Sequence, residues 1–183
     1  YLEKILEGKA QTQVNSIAVE DVNSDKVISA LRLESPDICV VFGTPILKKR
    51  VLNECAIFVN AHTSILPYYK GTRSEFWQCY DDNKNSIGVT FHKIDSGVDT
   101  GPIFEQIHQK EIKLFEPYYL RFKNIVIILE NYPKVIKSII SGNVSFTTQE
   151  ERQDLKTYKF IDITIDKRVE LYSKLLLTQP KPQ

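Results

Sequence analysis

An asparagine and a histidine two residues apart, Asn60 and His62, sit where the apolar run Ala56-Ile57-Phe58-Val59 gives way to Thr63-Ser64-Ile65-Leu66-Pro67. In extended backbone, residues i and i+2 project to the same side, so the amide and the imidazole can face one ligand. An asparagine amide and a protonated imidazole are donors suited to a developing oxyanion, and such preorganised donors supply roughly 3 kcal/mol each in a dry site. Asp99 follows His62 by 37 residues, in Val98-Asp99-Thr100-Gly101-Pro102. A carboxylate near a histidine favours the charged ring and fixes its orientation. Taken alone, His62 reads as a satisfied loop histidine and Asn60 as a strand cap, and the pair is compatible with several acyl-transfer chemistries.

The segments around these residues pattern as alternating strands and helices. Leu2, Ile5 and Leu6 share a helical face ended by Gly8, Ser16 to Val19 reads as a short strand, and Asn23, Ser24 or Asp25 caps a helix carrying Val27, Ile28 and Leu31. Ile38 to Phe42 is continuously apolar, as a strand buried on both faces should be, and Ile46 to Leu52 reads as a helix leading to the strand Ala56 to Asn60. That order predicts an α/β fold, a Rossmann-like, mostly parallel sheet flanked by helices, with ligands beyond the carboxyl ends of its strands. Gly43-Thr44-Pro45 and Asn60-Ala61-His62 both fall there. Further on, Ser74 is expected to cap a helix with Phe76, Trp77 and Tyr80 near the core. Ser86 to His92 alternates as a strand, Ile94 to Gly101 is a loop, and Ile103 to Gln109 is a strand. A helix from Glu116-Pro117 toward Gly142 should kink or break at Pro133, and the final Gln179-Pro180-Lys181-Pro182-Gln183 reads as disordered.

A length of 183 residues with 42% hydrophobic content fits one core-forming domain, and the net charge of +1 gives no general argument for a nucleic-acid partner. The basic cluster Lys48-Lys49-Arg50 reads as a solvated helix face. Cys39, Cys55 and Cys79 are odd in number and form no C-x-x-C pair, which favours a reducing, cytoplasmic setting without structural zinc. No run is long and apolar enough to span a bilayer. The chain has no methionine and opens on the amphipathic Tyr1-Leu2-Glu3-Lys4-Ile5-Leu6, so an N-terminal part is expected to lie outside this sequence.

Val40 to Leu52, Asn60-Ala61-His62-Thr63-Ser64-Ile65-Leu66-Pro67, Gly71, and Gly88-Val89-Thr90 through Asp99-Thr100-Gly101 resemble the catalytic domain of the 10-formyltetrahydrofolate-dependent formyltransferases. The likeness covers about residues 36 to 110. It implies a catalytic domain over residues 1–142, truncated at its N-terminus, and a partly irregular extension over 143–183. It also implies direct formyl transfer to an unprotonated amine, without metal, with Asn60, His62 and Asp99 as the catalytic trio. Asn60 and protonated His62 would hold the oxyanion, while Asp99 supports His62 and proton transfer through water. The folate would lie on Gly43, Thr44, Pro45, Ile46, Leu47, Ile94, Asp95 and Gly97, with Asp95 chiefly forming the loop and the role of His92 left open.

The acceptor depends on Tyr68-Tyr69-Lys70-Gly71-Thr72-Arg73-Ser74-Glu75-Phe76-Trp77, which resembles the enzymes acting on amino sugars of nucleotide-linked sugars. On that resemblance Tyr68, Lys70, Gly71 and Arg73 are substrate-binding candidates; Tyr69 and Trp77 are weaker ones, and Trp77 fits the core equally well. Methionyl-tRNA formyltransferase and glycinamide ribonucleotide transformylase are the alternative activities, and a non-catalytic folate-binding relative is a third reading. A small-molecule partner is expected, nucleic acid and membrane are disfavoured, and a homodimer is left open.

Overall fold

The computed structural model describes residues 15–150 and 155–178. Helix α1 (Asp25–Glu34) leads to strand β1 (Ile38–Val41), and the short helix α2 (Lys49–Leu52) connects it to β2 (Ile57–His62). The two strands pair in parallel, with Ile38 opposite Ile57 and Val41 opposite Asn60. Next come the two-residue strand β3 (Lys70–Gly71), helix α3 (Ser74–Tyr80), and strands β4 (Gly88–Lys93) and β5 (Ile103–His108). Helix α4 (Pro117–Ile140), strand β6 (Thr157–Tyr158) and helix α5 (Ile165–Thr178) complete the described chain. The main sheet has the order β1-β2-β4-β5, and β6 pairs separately with β3. The expected Rossmann-like layering is present, with the parallel β1–β2 pair continued by antiparallel β4 and β5.

Strand alternation decides which groups become core and which become site. Val59, Ala61, Val89 and Phe91 lie on one face and pack with Phe104 against Ile128 and Val135 of α4. The intervening residues Asn60, His62, Thr90 and His92 therefore share the opposite face, as period-two geometry requires. Phe58 and Val41 pack with Ile28 of α1 and Val51 of α2. A third cluster joins Trp77 of α3, Leu120 of α4 and Leu171 of α5.

Several boundaries differ from the sequence expectation. Residues 16–19 form no regular strand, and the helix expected from Ile46 is confined to Lys49–Leu52. Asn23 supplies the reason for the second difference, because its amide donates to the Ile46 carbonyl at 3.0 Å and accepts from Lys48 N–H at 2.6 Å. That clamp engages the Ile46 carbonyl, which a longer helix would have used internally. Ser24 occupies the cap position of α1, with no side-chain bond to it.

Ser74 does not cap α3. Arg73 holds that position in left-handed conformation (φ 60°, ψ 41°), and the Ser74 hydroxyl donates instead to the Tyr69 carbonyl at 3.1 Å. Helix α4 runs unbroken through Pro133; Leu129, whose carbonyl loses its partner there, lies on the half-exposed side where solvent can take the bond. The basic cluster sits on the surface, where Arg50 pairs with Asp25. Helix α5 and strand β6 were not foreseen. The expectations for residues 1–8 and 179–183 fall outside the described residues.

The C-terminal segment is fastened through Gly71. This residue has φ +97°, and a Cβ added there would stand 2.1 Å from the Tyr158 carbonyl, whose oxygen accepts from Thr72 N–H at 2.9 Å. Gly71→Ala is expected to cost about 2–4 kcal/mol through backbone strain and the broken β3–β6 pair. Denaturant unfolding checks the magnitude, and hydrogen exchange should show residues 155–178 losing protection first. Undiminished protection there would contradict this account of the fastening.

Candidate active site

A cavity of about 600 Å³ opens at the carboxyl ends of β1 and β2. Asn60 and His62 line it from β2, His92 from the paired strand β4, and Asp99 from the loop that follows. The described structure therefore brings all three residues of the sequence-derived trio to one place.

Asp99 is the hub of their polar contacts. Its Oδ2 accepts from Gly71 N–H at 2.7 Å and lies 3.4 Å from His62 Nδ1, while Oδ1 lies 3.5 Å from His92 Nε2. Burial pushes this carboxyl upward. His62, the His92 hydrogen bond and the Gly71 N–H outweigh that effect and bring the pKa from 3.8 down to about 2. Asp99 has φ 53°, a left-handed conformation that aspartate and asparagine tolerate better than most residues.

Hydrogen-bond partners constrain the protons. His62 Nε2 is 3.0 Å from the Tyr69 carbonyl, which can only accept, so Nε2 carries a proton. Ser74 Oγ lies 3.3 Å from the same nitrogen and itself donates to that carbonyl. His92 Nδ1 likewise faces a carbonyl, that of Lys93 at 2.9 Å. His92 Nε2 lies between the Asn60 amide at 3.0 Å and Asp99 Oδ1 at 3.5 Å, and a proton on it is donated to the carboxylate. The Asn60 amide meets the His92 ring on one side and keeps an N–H for a ligand on the other.

All the residues expected to hold a folate, Gly43, Thr44, Pro45, Ile46, Leu47, Ile94, Asp95 and Gly97, line the cavity. Asp95 also builds its loop, accepting from Gly97 N–H at 3.0 Å and from the Thr100 hydroxyl at 2.6 Å. Of the substrate-binding candidates, Gly71 and Arg73 line the cavity, whereas Tyr68 and Lys70 are not among the lining residues. The Tyr69 and Trp77 side chains are taken up by the core, where Tyr69 stacks on Tyr158 with ring centres 5.5 Å apart.

Sequence reasoning missed Asn23, the Tyr69 carbonyl and Gln149. Gln149 donates to the carbonyls of Asp99 and Gly101 at 3.0 and 2.7 Å and so braces the loop from the far side. It also missed Arg121, Lys159 and Phe160, which complete one wall. Only Asn23, one of the candidate helix caps, carried any local signal. Among the described residues no group of His, Cys, Asp and Glu is arranged to hold a metal ion, and no helix is long and apolar enough to cross a membrane.

The formyl transferase family profile matches residues 7–119. Methionyl-tRNA formyltransferase of Thermosipho melanesiensis is 30% identical over 159 residues, which are 82% of this chain and 50% of that protein. The chain spans about half the length of the curated relatives it matches. Among solved structures, PseJ from Anoxybacillus kamchatkensis, in complex with UDP-4,6-dideoxy-4-formamido-L-AltNAc and tetrahydrofolate, has a TM-score of 0.57 at 25% identity, covering 97% of this chain and 84% of that one. A 4-N formyltransferase from Francisella tularensis shares the fold at TM-score 0.62 and 17% identity, covering 86% and 67%.

The lowered Asp99 pKa makes stability depend on pH. Because the folded value lies below the ordinary 3.8, the stabilisation is complete above that pH and disappears as pH falls toward 2. Asp99→Asn keeps the backbone preference and removes the charge, so it should cost about 2 kcal/mol at pH 7. The gap from wild type should close between pH 4 and 2 when urea unfolding is followed across that range. A gap independent of pH would contradict the assigned charge.

Proposed function

The chain belongs to the formyl transferase family, and from that premise we propose that it moves a formyl group from 10-formyltetrahydrofolate to a primary amine carried by a nucleotide-linked sugar. The observation that carries this reading is the meeting of Asn60, His62 and Asp99 in one cavity, with Asp99 held between two histidines and a backbone N–H. The likeness to PseJ extends over nearly the whole chain, the C-terminal segment included, and supports the sugar-linked acceptor. The methionyl-tRNA formyltransferase relatives support a tRNA-linked amine as the competing acceptor.

The cavity walls suit a flat heterocycle with hydrogen-bonding edges. Phe42 and Ile46 are 41% and 70% exposed beside the open Gly43 turn, and the Ile94 to Val98 loop faces the same space. Exposed apolar side chains give such a ring a face to pack on, and the Gly43 turn and the Ile94 loop border its rim. When bound there, 10-formyltetrahydrofolate supplies the activated formyl carbon.

The chain's own residues then have distinct tasks. The free N–H of Asn60 and the Nε2–H of His62 are the donors for charge developing on the formyl oxygen. The His62 proton rests on the Tyr69 carbonyl, a neutral acceptor that an anionic oxygen outcompetes. Asp99 keeps His62 oriented through Nδ1 and stays charged, so the proton leaving the amine passes through water beside it to the folate nitrogen as that nitrogen gives up the formyl carbon.

Asn60→Ala and His62→Ala should each lower kcat by roughly 100- to 1,000-fold, the range for losing one oxyanion donor. The assay is formyl transfer from 10-formyltetrahydrofolate by the full-length protein to UDP-linked amino sugars, glycinamide ribonucleotide and methionyl-tRNA. Activity untouched in His62→Ala would sink the assigned site. Transfer confined to the ribonucleotide or the tRNA would refute the sugar acceptor.

A further inference from the structure

A smaller cavity of about 140 Å³ shares Arg73, Arg121 and Phe160 with the main one and adds Arg168 from α5. The guanidiniums of Arg73 and Arg168 lie against the Phe160 ring, 5.4 and 5.7 Å from its centre. Three cations thus converge beside the formyl-transfer residues, and the charge facing them is small. Among the described residues Arg73 and Arg168 form no ion pair, and Arg121 has only Glu75, at 3.8 Å.

Glu75 is itself buried, with Oε2 toward Arg121 and Oε1 without a hydrogen-bond partner. One carboxylate against three guanidiniums leaves net positive charge at the mouth of a partly dry space, a standing repulsion that a multivalent anion would relieve. The unpartnered Oε1 adds an acceptor for a ligand hydroxyl or N–H.

The backbone points the same way. Arg73 is held in left-handed conformation at the start of α3, where glycine or asparagine would fit with less strain. That geometry leaves the Arg73 side chain exposed at the edge of both cavities. Phe160 and Arg168 lie beyond the residues matched by the family profile, so this wall is supplied by the C-terminal segment.

We propose that Arg73, Arg121 and Arg168 form the seat for the diphosphate of the amine acceptor, so that α5 and the segment before it set which acceptor is used. The inference rests on the nucleotide-sugar reading above. Guanidinium forks bind phosphate oxygens in pairs, and three of them suit a diphosphate better than a single carboxylate. In a nucleotide-linked sugar the diphosphate adjoins the sugar that bears the amine. A diphosphate on the arginines would therefore leave the sugar toward Gly71, His62 and Asn60, which line the same cavity.

The test is calorimetric titration of the full-length protein with inorganic pyrophosphate, UDP and, separately, folinic acid, in wild type, Arg73→Ala and Arg168→Ala. Both side chains are exposed, so neither substitution removes core packing. Each should weaken UDP and pyrophosphate binding by about tenfold or more while leaving folinic acid binding unchanged. In the transfer assay the acceptor KM should rise in the same proportion, with kcat within about threefold of wild type, as for lost uniform binding. Equal UDP affinity in wild type and both variants would overturn the seat, as would wild type that binds folinic acid but neither UDP nor pyrophosphate; formyl transfer would survive either result. Wild type that binds neither folinic acid nor UDP would overturn the underlying reading as well. Formylation of methionyl-tRNA with no response to UDP would contradict the proposal.

Discussion

A carboxylate almost withdrawn from water must be surrounded by donors, and the site is organised around Asp99 for that reason. Its two oxygens draw on three parts of the chain: the Gly71 N–H of β3, His62 at the end of β2, and His92 on β4. They come from separate elements of the fold, so the charge can be satisfied only when the sheet, the β3 turn and the loop are all in place. A single ionised group thereby links the folding of the site to its chemistry, and its depressed pKa expresses that link in free energy.

The scaffold delivers those donors by simple geometry. Antiparallel pairing sets Asn60 opposite His92 and His62 opposite Thr90, while the apolar residues between them go to the α4 side. Thr90 continues the polar row away from the cavity, donating to the Ser64 carbonyl at 2.7 Å and accepting from Leu66 N–H at 3.0 Å. This network holds the chain that runs on to the Tyr69 carbonyl, the acceptor for His62. On the opposite side Gln149 fixes the loop carrying Asp99, and Tyr158 pairs with Gly71. The segment after α4 is therefore part of the site's frame as well as a wall of the cavity.

Features written in local periodicity or residue type were legible in the sequence. The unbroken apolar runs announced β1 and β2, although β1 lacks the expected burial on both faces, Val40 being 54% exposed; the alternation from Val89 to His92 announced β4, and Asn60 with His62 marked the strand end facing the cavity. Asp99 needed the family resemblance, since Asp95 in the same loop is an equally polar neighbour. The carbonyl of Tyr69 carries no side-chain signature, and the partners of Asn23 and Gln149 lie about 23 to 50 residues away. Ser74 looked like a helix cap because capping rules assume ordinary backbone before the helix, and Arg73 is left-handed there. Helix α5 was hidden by its own surface: Ile165, Val169, Leu176 and Leu177 are exposed, and they blur the periodicity that Leu171 would otherwise reveal.

The central claim is that Asp99 is a permanently charged hub shared by two histidines. Carbon NMR of aspartate side-chain carboxyls, with Asp99 assigned by comparison with Asp99→Asn, measures it directly. The account predicts that the Asp99 signal keeps its ionised position while ordinary aspartates titrate near 3.8, and that it begins to move only as pH approaches 2. A midpoint for Asp99 at or above 3.8 would contradict the account.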